Sequence, residues 1–129
     1  MDKGAIRRRL ALGTAVLTAS GLLALGVPAG DASAAALCSG RKVRTLAFST
    51  GHVDVHKARG YVCAVTYPKK VGARRHMMVS VQARGSERVP NAGRFTRYAG
   101  PVRVHAGHRC VRIQGAVGSG SVATGWILC

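Results

Sequence analysis

The segment His52-Val53-Asp54-Val55-His56 carries the sharpest chemistry-bearing pattern in the chain. On a strand, residues i, i+2 and i+4 project from one face, so two imidazoles and a carboxylate would line up. That donor set suits zinc, copper or nickel, with His105 or His108 as a further partner. The plainer expectation is a solvated strand face opposite Val53 and Val55. Lys57 and Arg59 would also repel a cation there.

A second constellation is Glu87, His105 and His108, with Arg84 or Arg88 nearby in sequence. Phosphodiester cleavage of the kind small secreted ribonucleases perform needs a general base, a general acid and cationic clamps. The residue types are present, but nothing in their spacing brings Glu87 to a histidine. No G-x-S-x-G elbow, P-loop or H-E-x-x-H occurs. A Ser-His-Asp triad would have to draw on Asp54. No catalytic residue is assigned, no cofactor is implied, and a non-enzymatic role is the leading expectation. A secreted inhibitor presenting residues 85–93 as a loop is a further alternative.

The basic residues give the strongest functional lead. Lys69-Lys70 and Arg74-Arg75 bracket Gly72 within seven residues, and Arg94, Arg97 and Arg103 follow, with Arg109 and Arg112 beyond. If these share a face, the protein would bind polyanions by releasing counter-ions. An anionic wall polymer is the leading partner; lipid headgroups and nucleic acid are alternatives. Sequence-specific nucleic-acid recognition is not expected, because aromatics are few and no reading helix is evident. Membrane lysis would need an amphipathic basic helix, which the pattern lacks. The competing expectation is a generally basic surface in which Arg serves as the solubilising residue.

The elements that must position these groups follow a basic leader. Lys3, Arg7, Arg8 and Arg9 precede an apolar run over residues 10–27, and Ala32-Ser33-Ala34 supplies small residues. That order reads as a secretory signal-peptide helix over residues 1–34, with cleavage after Ala34 or Ala36. Both the general and the twin-arginine routes of export fit its basic start. The full chain of 129 residues has a formal charge of +16; residues 1–34 carry four basic and two acidic residues, so their removal leaves +14. The mature part would be a single domain over residues 35–129, with Asp54 and Glu87 as its acids and no transmembrane segment. A domain of that size buries only about 60–65% of its unfolded surface, so it needs staples.

Cys38, Cys63, Cys110 and Cys129 all follow the leader. An even set in an exported chain reads as two disulfides. Of the three possible connectivities, Cys38–Cys63 with Cys110–Cys129 is favoured, because each closes a local loop. No spacing suits zinc ligation.

Short β-rich runs are expected over residues 43–48, 52–56, 61–67, 76–83, 94–98, 102–105, 110–114 and 122–129. Ala99-Gly100-Pro101 is expected to be a turn, and residues 115–120 a glycine-rich loop. No stripe of helical period and length follows the leader, and valine and glycine favour strands and turns. Some seven or eight short strands at this spacing predict an all-β fold: a small antiparallel sandwich or barrel.

The stretch from Phe95 to Cys110, with Tyr98-Ala99-Gly100-Pro101-Val102 at its centre, resembles the spore-associated protein A family. The resemblance extends to Cys63-Ala64-Val65-Thr66, to Cys110-Val111, to the glycines of residues 115–120 and to the C-terminal cysteine. It covers residues 37–129. These are small exported proteins of filamentous, spore-forming Gram-positive bacteria. The resemblance implies a secreted or spore-surface β-rich domain without an established enzymatic activity, and it transfers no site residues. This chain departs from that pattern in its strong positive charge.

Overall fold

A computed structural model describes residues 37–129, and every regular element among them is a strand. The expected signal-peptide helix and its cleavage point lie outside the described residues. The strands are β1 (Arg41–Phe48), β2 (Gly51–Ala58), β3 (Tyr61–Pro68), β4 (Arg75–Ala83), β5 (Val89–Phe95), β6 (Ala99–His105), β7 (Val111–Val117) and β8 (Gly120–Ala123). They form two four-stranded antiparallel sheets, β1-β2-β3-β6 and β5-β4-β7-β8. The chain crosses from one sheet to the other after β3, β5 and β6, which is Greek-key winding. No helix among the described residues is long and apolar enough to cross a membrane.

Alternation explains the layers. Val53 and Val55 of β2, Val62 and Ala64 of β3, Met77, Val79 and Val81 of β4, and Val111, Ile113 and Val117 of β7 are all fully buried. The members of each set lie two residues apart, or four across Gly115 in β7, so one face of each strand enters the space between the sheets. β-branched valine suits this surface, because its restricted rotamers lose little on packing. Gly115 belongs to this core and not to the loop expected over residues 115–120. A Cβ there would collide with Val53 across the sandwich, and with the Thr66 hydroxyl at 2.7 Å. The sheets approach closely at that point because β7 has no side chain to place.

Both disulfides form with the expected pairing, Cys38–Cys63 and Cys110–Cys129, spanning 25 and 19 residues. Each fixes a terminal segment to a sheet. The first presses Leu37 and Cys38 over the outer side of β3, where Cys63 and Val65 are buried with Tyr67 and Tyr98 beside them. The second holds the C-terminal segment along β7. There Val111 and Ile127 exchange backbone hydrogen bonds of 2.8 Å in both directions. The Trp126 ring lies 4.2 Å from the Arg112 guanidinium and 5.4 Å from that of Arg84.

Several strand boundaries differ from the sequence expectation. Ala99-Gly100-Pro101 is the start of β6, and the turn lies at residues 96–98. Pro101 is accommodated because β6 is an edge strand, where a missing N–H need not break a ladder. Pro90 sits likewise in an edge strand, β5 of the other sheet. The loop expected over residues 85–93 is mostly β5. The strand expected over residues 122–129 shrinks to the end of β8 and a single bridge.

Two stability outcomes follow. The Cys110→Ser/Cys129→Ser variant should lose about 3 kcal/mol, measured by urea denaturation; an unchanged midpoint would contradict the role given to that bridge. Gly115→Ala should cost about 1–3 kcal/mol through overpacking, whereas Gly125→Ala, where a Cβ meets open space and φ is not positive, should cost little.

Candidate functional site

The turns after β1, β3, β5 and β7 gather at one end of the sandwich. The Lys69 N–H donates to the Thr50 carbonyl at 2.9 Å, and the Gly72 N–H to that of Thr96 at 3.1 Å. The Thr50 hydroxyl donates to the Val117 carbonyl at 2.6 Å. These bonds lay the β3–β4 loop against the β5–β6 turn. Between them opens a shallow groove of about 370 Å³.

Arg74, Arg94 and Arg97 line this groove together with Phe95, Tyr98 and Asn91. The Arg74 guanidinium donates to the Arg94 carbonyl at 3.1 Å, which holds its stem across the groove. Asn91 closes the floor by accepting the Gly100 N–H at 3.1 Å. No carboxylate lines the groove. Three like charges thus face one opening with nothing of opposite sign beside them, an arrangement that an incoming anion relieves.

Of the seven cations expected to act together, the structure brings Arg74, Arg94 and Arg97 into one groove. Lys69 and Lys70 are exposed at the same end, on the loop that carries Arg74. Arg75 lies opposite Phe95 in the β4–β5 ladder. Arg103 stands apart. It pairs with Cys63 near the far end of β6 and lines a different cleft. Arg109, expected to be an outward cation, is exposed, but its guanidinium is hydrogen-bonded within the molecule. Its guanidinium donates to the carbonyls of Ala106 (3.1 Å), Arg84 (3.3 Å) and His105 (2.8 Å), and to the Ser86 hydroxyl (3.0 Å). It ties the β4–β5 turn to the β6–β7 loop, a role no local pattern marks.

His52, Asp54 and His56 do share the outer face of β2, but they do not converge. Strand residues four apart are separated by about 13 Å, so the three groups form a row and not a cage. Among the described residues, no three His, Cys, Asp or Glu side chains gather as a metal site requires. Asp54 is engaged otherwise. It accepts from the Thr45 hydroxyl at 3.0 Å and lies 3.9 Å from Lys42 Nζ and 3.7 Å from His52 Nε2. His52 stacks on Tyr67 with ring centroids 5.3 Å apart. His56 Nδ1 is buried without a hydrogen-bond partner.

Glu87 is exposed on the β4–β5 turn, and the close approaches of basic side chains to a carboxylate among the described residues, from Lys42 and His52, go to Asp54. His105 packs edge-on against Tyr61 at 4.9 Å, and His108 is exposed in the next loop. No hydrogen bond among the described residues joins Glu87 to either histidine.

Tyr67 lies between His52 and the groove, stacked on the one and with its ring 6.2 Å from that of Tyr98. Burial pushes its hydroxyl pKa up, and the negative charge of Asp54 and the proximity of Tyr98 add to the rise. The folded state therefore keeps a proton that the unfolded chain gives up at about pH 10. The unfolded state binds fewer protons over that interval, so stability falls as pH rises through it. Urea midpoints measured across about pH 9–11 should drop in the parent and drop less in Tyr67→Phe; equal slopes would show that Tyr67 is not the group responsible.

No protein-family model matches the chain, and searches of curated proteins and of solved structures find no match.

Proposed function

We propose that this domain is a non-enzymatic, secreted or cell-surface module that binds an anionic extracellular polymer through the Arg74–Arg94–Arg97 groove. The observation that carries this reading is convergence. The three guanidinium groups come from a loop, a strand and a turn, and they meet around an opening without a carboxylate. Folding them side by side costs electrostatic energy, which a structural role would not require. Arginine also pairs with phosphate, sulfate or carboxylate in a two-pronged geometry that lysine cannot reproduce.

The setting supports the same reading. Disulfides persist in oxidising compartments, the leader has the order of an export signal, and the resemblance to spore-associated protein A implies an outer-surface location. A phosphate-rich wall polymer or a comparable spore-surface polymer fits the groove's charge. Sequence-specific nucleic-acid recognition is not part of the proposal, since the described fold offers no reading helix.

Magnitudes fix what to measure. Three phosphate-type contacts give a salt exponent of about 2.1–2.7, so binding should weaken about 20- to 40-fold between 50 and 200 mM salt. Lys69, Lys70 and Arg75 nearby can steepen that dependence. Retention on an immobilised polyanion such as heparin, read across a salt gradient, tests the proposal. Arg94→Ala/Arg97→Ala should elute much earlier and lower the exponent by about 1–2. Arg41→Ala/Arg44→Ala removes equal charge from exposed β1 positions and should shift elution less. Equal shifts for the two variants would mean that net charge alone, and no groove, governs binding.

A further inference from the structure

At the opposite end of β3 and β6 lies a second cleft, of about 540 Å³. Tyr61 and Tyr67 mark the two ends along β3, six residues and so about 20 Å apart. Arg59, Tyr61 and Arg103 line the second cleft with Ser39, Gly40 and Ala58, and no carboxylate is among them. The Arg103 guanidinium lies 4.9 Å over the Tyr61 ring, and His105 supports the same ring from its edge. Tyr61 nonetheless remains 39% exposed, unusual for a large side chain so well supported. The ion pairs among the described residues involve neither arginine.

The backbone adds an independent observation. Arg59 and Gly60 form the two-residue turn between β2 and β3, and both have positive φ, 52° and 83°. This is the turn that favours Asn-Gly or Asp-Gly, because the first residue must enter the left-handed region. Gly60 fits it, and His105 Nε2 would lie 3.0 Å from any Cβ there. Arg59 does not fit: it places a long, charged side chain where a short one is favoured. Residues held in sparsely populated backbone regions cluster at functional sites, and this one stands on the rim of the cleft.

We propose that Arg59, Tyr61 and Arg103 form a second binding site, separate from the groove, for an anionic sugar residue. The two guanidinium groups take a phosphate, sulfate or carboxylate oxyanion. The cleft is far larger than an inorganic oxyanion fills, so the anion is carried on a larger body. The exposed part of the Tyr61 ring offers a stacking surface, and the Ser39 hydroxyl and the Gly40 backbone offer partners for sugar hydroxyls. The proposal does not depend on the groove's function.

The test is titration of the purified protein with glucose 6-phosphate, glucuronate, glucose and inorganic phosphate, followed by amide and arginine side-chain NMR. Glucose 6-phosphate or glucuronate should cause saturable shifts at Ser39, Gly40, Arg59, Tyr61 and Arg103, with glucose silent and inorganic phosphate much weaker. Whichever of the two sugars binds tighter identifies the oxyanion. Arg59→Asn should raise the melting temperature by relieving the turn while weakening binding about tenfold. Arg94→Ala/Arg97→Ala should leave this binding unchanged even where it abolishes retention on heparin. No saturable shift in the cleft would overturn the proposal. So would shifts confined to residues 94–98, equal shifts with glucose or with inorganic phosphate, or undiminished affinity in Arg59→Asn.

Discussion

Burial of valine, alanine and methionine side chains between two four-stranded sheets is the attraction on which everything else in this domain depends. It opposes a shell of arginine and lysine that has almost no internal counter-charge, since Asp54 and Glu87 are the acids of the described residues. Charge pairing cannot hold such a molecule together, because there is almost nothing to pair with. Close approach of the sheets has to do so, and Gly115 permits it by letting β7 settle directly on Val53 and Thr66. The disulfides act where that attraction ends. Each binds a terminal segment whose few apolar residues could not hold it in place alone, and one of them covers the outward-facing Val65.

Most of the fold was legible because it follows from alternation. Met77, Val79 and Val81 announce β4, and Val53 with Val55 announces β2, since a period of two in β-branched residues has few other uses. Cysteine pairing was legible because each bridge closes a short local loop. Strand ends were harder to read. Proline and glycine in Ala99-Gly100-Pro101 signal a turn in most contexts, and only the edge position of β6 makes that tripeptide part of a strand. Glycine in residues 115–120 reads as flexibility until the opposite sheet is known. In both cases the deciding information is the identity of a neighbour in the other sheet or the lack of a neighbour on one side, which no local window contains.

The candidate site divides in the same way. Lys69, Lys70, Arg74 and Arg75 cluster in sequence and stay clustered in space. Arg94 and Arg97 join them because Gly72 bonds to the turn that follows β5, a contact set by the Greek-key path. Arg103 follows only six residues after Arg97, yet one strand's length carries it toward the other end of the molecule. Arg109 looked like one more free cation, but four neutral oxygen acceptors occupy its guanidinium. His52, Asp54 and His56 show the limit of spacing arguments: a strand aligns groups on one side without gathering them around a point.

The distribution of acids also determines how the domain responds to its surroundings. Acidic side chains are few among the described residues: Glu87 is alone on a turn, and Asp54 is already held by Lys42 and Thr45. Arginine and lysine outnumber these acids many-fold, so the molecule behaves as a fixed-charge exchanger for anions. An attached anion therefore departs when dissolved ions or a denser rival polymer displace it.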